Sequence, residues 1–284
     1  MREKERSQAQ ISPNHLAQDN HHGRWDERLR GWLAPFSLIL AVFLWWAITR
    51  FGQFPAFILP PPGLVLERFG QVLLDGSLLN HSLTTLQEVL AGMILGVAAA
   101  TSLGYILAKS PAIERLTPPY IIASQAVPVV AIAPLLVIWF GSGLLSKVLI
   151  TALIVFFPVL INTVVGVRSV PDDLRDLMRS LLASRWQTFA KLEVPAALPV
   201  YLGGLRVGAT LSVIGAVVGE FVGSDRGLGF MINQARGQYD TALVFVAILS
   251  LVALALGLYG AVMLAEKRLL SWQQRPEEPV VINK

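Results

Sequence analysis

Six long runs of apolar residues dominate this chain and restrict what it can fold into. They cover approximately residues 32–48, 86–107, 120–140, 145–167, 200–222 and 242–264. A helix of about 20 residues, rising 1.5 Å per residue, crosses a hydrocarbon core ~30 Å thick. In lipid, a helix also satisfies its own backbone hydrogen bonds. The sequence therefore predicts an all-α, multi-pass membrane protein with six transmembrane helices.

The charged residues are few and unevenly placed. They make up 15% of the chain, against about 25% in a typical soluble domain. Of the 23 Lys and Arg residues, 17 lie before the first run, between runs 2 and 3, between runs 4 and 5, or after the last run. The positive-inside rule then predicts a plasma or inner membrane protein with both termini in the cytoplasm. Because the basic residues are concentrated on the cytoplasmic side, we attribute the net charge of +4 to residues that contact membrane lipid. We expect no nucleic acid partner.

The same reading divides the chain into segments. We expect a partly disordered cytoplasmic tail at 1–31, a first transmembrane helix at 32–50, and an external segment at 51–75 that carries an interfacial helix. A membrane domain would follow at 76–265, with a polar cytoplasmic loop at 168–199, and a second cytoplasmic tail at 266–284.

The composition argues against catalysis by this chain. The absence of cysteine excludes disulfides, thiolate metal sites and a thiol nucleophile. The apolar runs show no carboxylate pair, Ser/His/Asp set or His cluster, so we expect neither an enzyme nor a bound cofactor or metal. Residues 223–229 are Gly-rich but lack the Lys of a phosphate-binding loop. Energy for any active transport would come from ATP used by a partner subunit or from an ion gradient. A gradient-driven carrier usually needs acidic or His residues inside its spans and often an internal repeat of matching hydropathy, and this combination is not evident here.

The third and fifth runs carry the candidate pathway residues. Pro128 and Pro134 remove backbone donors and should kink or break the third helix, close to the polar Gln125. A helix that lines a pathway and a helix with a packed kink both fit this pattern. Glycines at four-residue spacing in the fifth run favour close helix packing. In that run Glu220 is the fourth candidate, expected to reach toward the outer surface, with Arg206 reaching toward the cytoplasm.

The loop at 168–199 has the features of a partner surface. Leu181, Trp186, Phe189 and Leu192 supply apolar groups within an otherwise polar, helix-capable segment. Large apolar groups exposed on a cytoplasmic loop suggest an interaction site, although the loop could instead pack on its own helical bundle.

Two stretches of this loop resemble the cytoplasmic coupling loop of importer-type ABC permeases. They are Ala183-Ser-Arg-Trp-Gln-Thr-Phe189 and Val194-Pro-Ala-Ala-Leu-Pro199. The family's acidic-small-small triplet is Asp176-Leu177-Met178 here, and Leu182 stands where the family has Gly. The resemblance implies a six-span permease fold in which the loop couples to an ATPase. The coupling residues that it implies are Asp176, Ser180, Leu181, Ala183, Ser184, Arg185, Trp186, Phe189, Pro195 and Pro199.

Further motifs resemble one branch of these permeases, which imports sulfonates, taurine, nitrate and vitamin precursors. They include Leu59-Pro-Pro-Pro62, Gly204-Leu-Arg-Val-Gly208 and Gly219-Glu-Phe-Val-Gly223. The stretch from Gln125 to Pro134 is most similar to permeases for riboflavin or for the hydroxymethylpyrimidine precursor of thiamine. The resemblance implies a homodimer with two copies of an ATPase subunit and an extracytoplasmic substrate-binding protein. The alternatives are a permease for sulfonates, taurine or nitrate, and a non-transporting membrane scaffold for an ATPase.

Overall fold

The computed structural model describes residues 36–37, 39–110 and 128–272, and over these residues the chain is helical with no strand. The chain divides into two compact units, residues Met1–Leu64 and Val65–Lys284. The described helices are α1 (Ile39–Phe51), α2 (Pro62–Leu74), α3 (Ser77–Lys109), α4 (Val129–Phe140), α5 (Leu144–Arg168), α6 (Asp172–Ser180), α7 (Arg185–Thr188), α8 (Val194–Gly223), α9 (Leu228–Gly237) and α10 (Thr241–Leu269). A π-helical turn at Phe189–Glu193 joins α7 to α8.

The predicted all-α membrane fold is confirmed. Four helices are long and apolar enough to cross a bilayer: Ser77–Lys109, Leu144–Arg168, Arg185–Gly223 and Thr241–Leu269. The other two predicted spans correspond to the shorter apolar helices α1 and α4. Residues 32–35, 38 and 111–127, which belong to or border those two spans, lie outside the described residues, as do most of the two predicted tails.

The first unit contains α1 and the following Pro-rich turn. The indole Nε1 of Trp45, on α1, donates a hydrogen bond to the carbonyl of Pro60 at 3.1 Å. This bond folds the turn back onto the helix that precedes it. The segment predicted to carry an interfacial helix contains the start of α2 at Pro62, a residue type well suited to a helix start because it lacks a donor N–H; its place at the membrane interface stays a prediction.

The second unit is built around α5, which lies between α3 and α8. Small residues allow this close approach on both sides of α5. A Cβ atom on Gly96 of α3 would lie 2.6 Å from the carbonyl oxygen of Ala152, and one on Gly215 of α8 would lie 2.7 Å from Cα of Thr151. The glycines of the fifth run therefore pack helices together, as their spacing indicates.

Two helices extend well beyond the apolar runs that predicted them. The helix α3 has 33 residues and begins at Ser77, whereas the apolar run begins at residue 86. Asp75 lies just before α3. Its carboxylate accepts a hydrogen bond from the Ser77 N–H at 2.8 Å, and the hydrogen bonds from Ser77 lower the pKa of Asp75.

The second extended helix is the span that contains α8, which begins at Arg185. Residues 185–199, placed in a loop by the sequence pattern, are thus helical and continuous with the span.

Candidate functional site

The segment from Asp172 to Glu193, called here the 172–193 segment, forms two short helices joined by a tight turn. Asp172 and Asp173 occupy the first turn of α6, where negative charge is favourable to the helix dipole. The Nη2 of Arg175 donates to the carbonyl of Val167 at 2.9 Å and so ties α6 to the end of α5. Asp176 pairs with Arg179 at 2.8 Å on the exposed face, and an exposed pair of this kind contributes little to stability.

The turn after α6 has the hydrogen bonds of a Schellman motif. The N–H of Leu182 bonds to the carbonyl of Arg179 at 2.9 Å, and the N–H of Ala183 bonds to the carbonyl of Met178 at 3.0 Å. In this motif one residue adopts the left-handed conformation that favours glycine. That residue is Leu182, with φ of 52°. The turn geometry thus gives a physical reason for the Gly found here in the coupling-loop pattern, and this chain keeps the turn without it.

A capping box begins α7. The N–H of Gln187 donates to Oγ of Ser184 at 3.2 Å, while the N–H of Ser184 donates to Oε1 of Gln187 at 2.7 Å. These reciprocal bonds satisfy donors that a helix start leaves free. The stretch Ala183–Phe189, which resembles the permease coupling loop, therefore begins at the last residue of the Schellman motif and contains the start signal of the next helix.

Large apolar side chains project from this ordered turn. Leu181, Leu182 and Trp186 are 67%, 91% and 71% exposed, respectively. Among the residues that the structure describes, no side chain of α6 is buried. The segment therefore presents apolar surface on a backbone that is fixed by caps at both sides of the turn, instead of packing that surface on its own bundle.

The inner end of the segment is attached to α3 by polar and aromatic contacts. Glu193 is 2% exposed, and its carboxylate accepts from the hydroxyl of Tyr105 at 3.0 Å and pairs with Nζ of Lys109. The ring of Phe189 meets Tyr105 edge-on with ring centroids 5.2 Å apart, and Trp186 lies 5.3 Å from Phe189. A cavity of about 640 Å³ opens beside these residues, with Thr163 and Tyr201 also in its wall.

The remaining predicted site residues are spread over the second unit. Pro195 and Pro199 lie in the first two turns of α8, directly after the π-helical turn. Pro128 precedes α4 and Pro134 lies inside it. Gln125 lies outside the described residues. The structure therefore brings the predicted coupling residues together in one continuous region, whereas Pro134 lies on a different helix, α4.

Glu220 does not reach the outer surface, contrary to the prediction, because it is buried against α3 and α9. Its Oε1 accepts from the hydroxyl of Thr85 at 2.6 Å, and its Oε2 accepts from the N–H of Gly229. Thr85 in turn accepts from the N–H of Leu228 at 2.8 Å. A carboxylate is well placed at the amino terminus of α9, where free N–H groups and the helix dipole favour negative charge.

Two buried ionisable residues that the sequence analysis did not single out lie next to Glu220. Glu88 of α3 and Lys147 of α5 are 1% and 4% exposed and face each other at 3.5 Å. Lys147 lies near the start of the fourth apolar run. A signal was available, because Thr85, Glu88 and Gly92 follow a helical spacing and so mark one buried face of α3.

Arg206 joins two helices. Its Nη2 pairs with Oε1 of Glu266 on α10 at 2.9 Å, at the first residue of the predicted cytoplasmic tail. In the ranges 36–37, 39–110 and 128–272 no cluster of three or more His, Cys, Asp or Glu residues is placed to hold a metal ion.

The chain is similar to known transport proteins over most of its length. Residues 92–271 match the family described as "Binding-protein-dependent transport system inner membrane component". A riboflavin transport system permease protein of Chloroflexus aurantiacus is 48% identical over 84% of this chain and 89% of its own length. A formylaminopyrimidine transport permease protein of Halalkalibacterium halodurans is 33% identical, over 86% and 97%. The taurine transport system permease protein of Escherichia coli is 32% identical, over 88% and 92%.

The fold is similar to that of a solved transporter. A chain from inward-facing conformations of the MetNI methionine ABC transporter matches with a TM-score of 0.59 and 17% sequence identity. The match covers 69% of this chain and 97% of that chain.

Proposed function

The chain belongs to the family of inner-membrane components of binding-protein-dependent transport systems, and from this premise we propose that it carries riboflavin or a thiamine-type pyrimidine precursor in an ATP-driven importer. As a member of this family it is a multi-pass permease subunit of an ABC importer, a transport component and not a catalytic one.

The choice of cargo rests on the similarity to relatives. The relative named for riboflavin transport is 48% identical to this chain, whereas those named for formylaminopyrimidine and taurine transport are 33% and 32% identical. Riboflavin and the pyrimidine precursors are planar, uncharged heterocycles. A permease for sulfonates, taurine or nitrate is the second candidate, supported by the taurine relative.

The 172–193 segment is the proposed docking site for the ATPase. The observation that carries this proposal is the exposed apolar turn of Leu181, Leu182 and Trp186, held rigid between a Schellman motif and a capping box. A coupling element must transmit force, so it needs both an apolar surface for a partner and a backbone that does not yield. Each permease subunit offers one such segment, which fits a homodimer that binds two ATPase subunits and uses their ATP.

The remaining features fit the same arrangement. The distribution of Lys and Arg favours cytoplasmic termini and places the 172–193 segment in the cytoplasm, opposite an extracytoplasmic binding protein that delivers cargo. Pro128 and Pro134, together with Gln125, remain the candidate pathway residues. Because Glu220 has both carboxylate oxygens occupied by protein donors, it holds α9 in place and does not face the cargo.

The test is reconstitution in proteoliposomes of this chain with its partner ATPase and binding protein. Riboflavin, hydroxymethylpyrimidine, taurine and nitrate are offered singly, and both uptake and ATP hydrolysis are measured. We expect riboflavin or hydroxymethylpyrimidine to accumulate and to stimulate hydrolysis, and liposomes without the binding protein to show no uptake. Uptake of taurine or nitrate alone would replace the proposed cargo, and ATPase binding without uptake of any cargo would favour a scaffold.

A further inference from the structure

The π-helical turn Phe189–Glu193 interrupts a helix that otherwise runs from Arg185 to Gly223. In this turn the N–H of Val194 bonds to the carbonyl of Phe189, five residues back. Turns of this kind are rare and occur often at functional positions. Here the wider turn directly precedes Pro195, which lacks an N–H and whose ring crowds the backbone of the preceding turn. The π-helical turn thus marks where the exposed part of the helix meets the part inside the bundle.

Both ends of the π-helical turn contact the same helix, α3. Phe189, its first residue, contacts the ring of Tyr105 at 5.2 Å between centroids, and Glu193, its last residue, accepts from the Tyr105 hydroxyl at 3.0 Å. Glu193 also pairs with Lys109, the last residue of α3. The turn is therefore attached to α3 at two points, four residues apart.

The Glu193 contacts are directional in a way that aromatic packing is not. A carboxylate that is 2% exposed has lost almost all of its water and is held there only because both of its oxygens have donors. A shift of α3 relative to the π-helical turn would break these bonds before it separated the rings. The carboxylate thus fixes the register between the two helices, while the rings of Tyr105 and Phe189 fill the space between them.

The contacts form a continuous path to the exposed surface. Trp186, on the exposed face of the 172–193 segment, lies against Phe189 with centroids 5.3 Å apart. A cavity of about 640 Å³ lies beside Tyr105, Phe189 and Glu193. A partner that displaces Trp186 would therefore move α8 through the chain itself and α3 through Tyr105 and Lys109.

We propose that Glu193 is a positioning residue that makes α3 follow the 172–193 segment, so that one docked ATPase moves two spans together. This inference rests on the proposed function, because it assumes that an ATPase docks on that segment. It concerns the step after docking, in which the movement is divided between α8 and α3.

The test compares Glu193→Gln with Glu266→Gln. Both substitutions remove one negative charge from an ion pair between two long helices, but Glu266 pairs with Arg206 between α8 and α10, away from the 172–193 segment. Each variant is reconstituted with its ATPase and binding protein, and riboflavin uptake per ATP hydrolysed is measured. Copurification of the ATPase is measured in parallel.

We expect Glu193→Gln to bind the ATPase as the wild type does but to import at least about fivefold less riboflavin per ATP, the lower range of coupling between sites. Glu266→Gln should keep the wild-type ratio. An unchanged ratio in Glu193→Gln, or an equal loss in both variants, would overturn the proposal. If the wild type imports neither riboflavin nor hydroxymethylpyrimidine, the proposed function itself fails, and this outcome is distinct from normal coupling in the variant.

Two further variants keep the test decisive if Glu193→Gln does not fold. Tyr105→Phe removes only the hydroxyl that Glu193 accepts from, and it should lower the same ratio while leaving the aromatic contact intact. Glu193→Gln combined with Lys109→Met should be no worse than Glu193→Gln alone, because both changes act on one ion pair. Additive losses in the double variant, or normal coupling in Tyr105→Phe, would contradict the inference.

Discussion

Leu182 shows how one residue can conflict with the turn in which it lies. The Schellman turn requires a left-handed residue at this position, and a side chain there costs about 1–2 kcal/mol relative to right-handed backbone. Leu182 is almost fully exposed, so its side chain recovers nothing by packing among the described residues. A residue that strains its backbone and gains no burial in the subunit is well explained if its side chain contacts a partner.

Replacing Leu182 by glycine should therefore stabilise the isolated permease. Glycine relieves the strain, but its greater freedom in the unfolded chain offsets part of the gain, which leaves on the order of 0.5–1 kcal/mol. Thermal unfolding of the purified protein in detergent measures the change. Leu181→Gly is the matched control, because Leu181 has φ of −79° and gains nothing from glycine. A lower unfolding temperature for Leu182→Gly than for the wild type would contradict this account of the turn.

The Glu88–Lys147 pair makes a second prediction at the scale of single residues. Lys147→Met keeps most of the volume of the side chain but leaves Glu88 buried without a cation. Removing one partner of a buried pair typically costs about 3–5 kcal/mol, so the unfolding temperature should fall by many degrees. Arg226→Met removes a cation from an exposed position and should change stability by less than about 0.5 kcal/mol. Equal losses of stability in Lys147→Met and Arg226→Met would mean that Lys147 does not stabilise the buried Glu88.

At the scale of elements, the close contact of α3 with α5 depends on a few positions without side chains. Gly96 is the clearest because the atom that a Cβ would meet, at 2.6 Å, belongs to the backbone of Ala152 and cannot rotate away. Two packed helices would have to separate to admit even one methyl group.

Gly96→Ala should accordingly destabilise the protein by about 1–3 kcal/mol, the usual range for overpacking. Gly257→Ala is the control on α10, since a Cβ there meets no atom within 4 Å among the described residues. In a helix interior this control should be neutral or slightly stabilising. Thermal unfolding in the same detergent compares the two, and a neutral Gly96→Ala would show that α3 and α5 lie further apart than described.

The positions of the transmembrane helices could be predicted from the sequence. The residues at which the helices end, and the pairing of buried charges between helices, could not. Apolar content locates a span because lipid excludes charge, yet a helix continues beyond the lipid wherever caps and packing support it. Ser77 and Arg185, each well outside the apolar run it precedes, begin such extensions. Glu88 was missed because a single charge in an apolar run is acceptable once another helix supplies its partner. The predicted coupling residues come from a resemblance, and their role stays a prediction; the turn and caps around them are encoded by nearby residues and do not depend on distant partners.

At the scale of the whole molecule, assembly should depend on the exposed side of the 172–193 segment. Trp186→Asp places a charge in the proposed ATPase contact, and burying it there would cost several kcal/mol. We expect the variant to insert and fold as the wild type does but to lose copurification with the ATPase, together with uptake. Trp272→Asp is the control, because it changes an exposed tryptophan just after α10. Normal uptake by a correctly inserted Trp186→Asp variant would exclude this surface as the docking site.

Phe189→Asp should also uncouple transport, although it additionally disturbs the contact with Tyr105.

The helical path from Arg185 to Gly223, which includes the π-helical turn, has a mechanical consequence. Its 39 residues span about 58 Å at 1.5 Å per residue, which is nearly twice the thickness of the lipid core. Glu220, near the far end of this rod, holds the amino terminus of α9, while Trp186 lies at the near end. A rod pivoting on its glycine-lined contact with α5 moves its two ends in opposite directions. A push on Trp186 would then tilt α9 the other way, so that this lever opens one face of the membrane by the same rotation that closes the other.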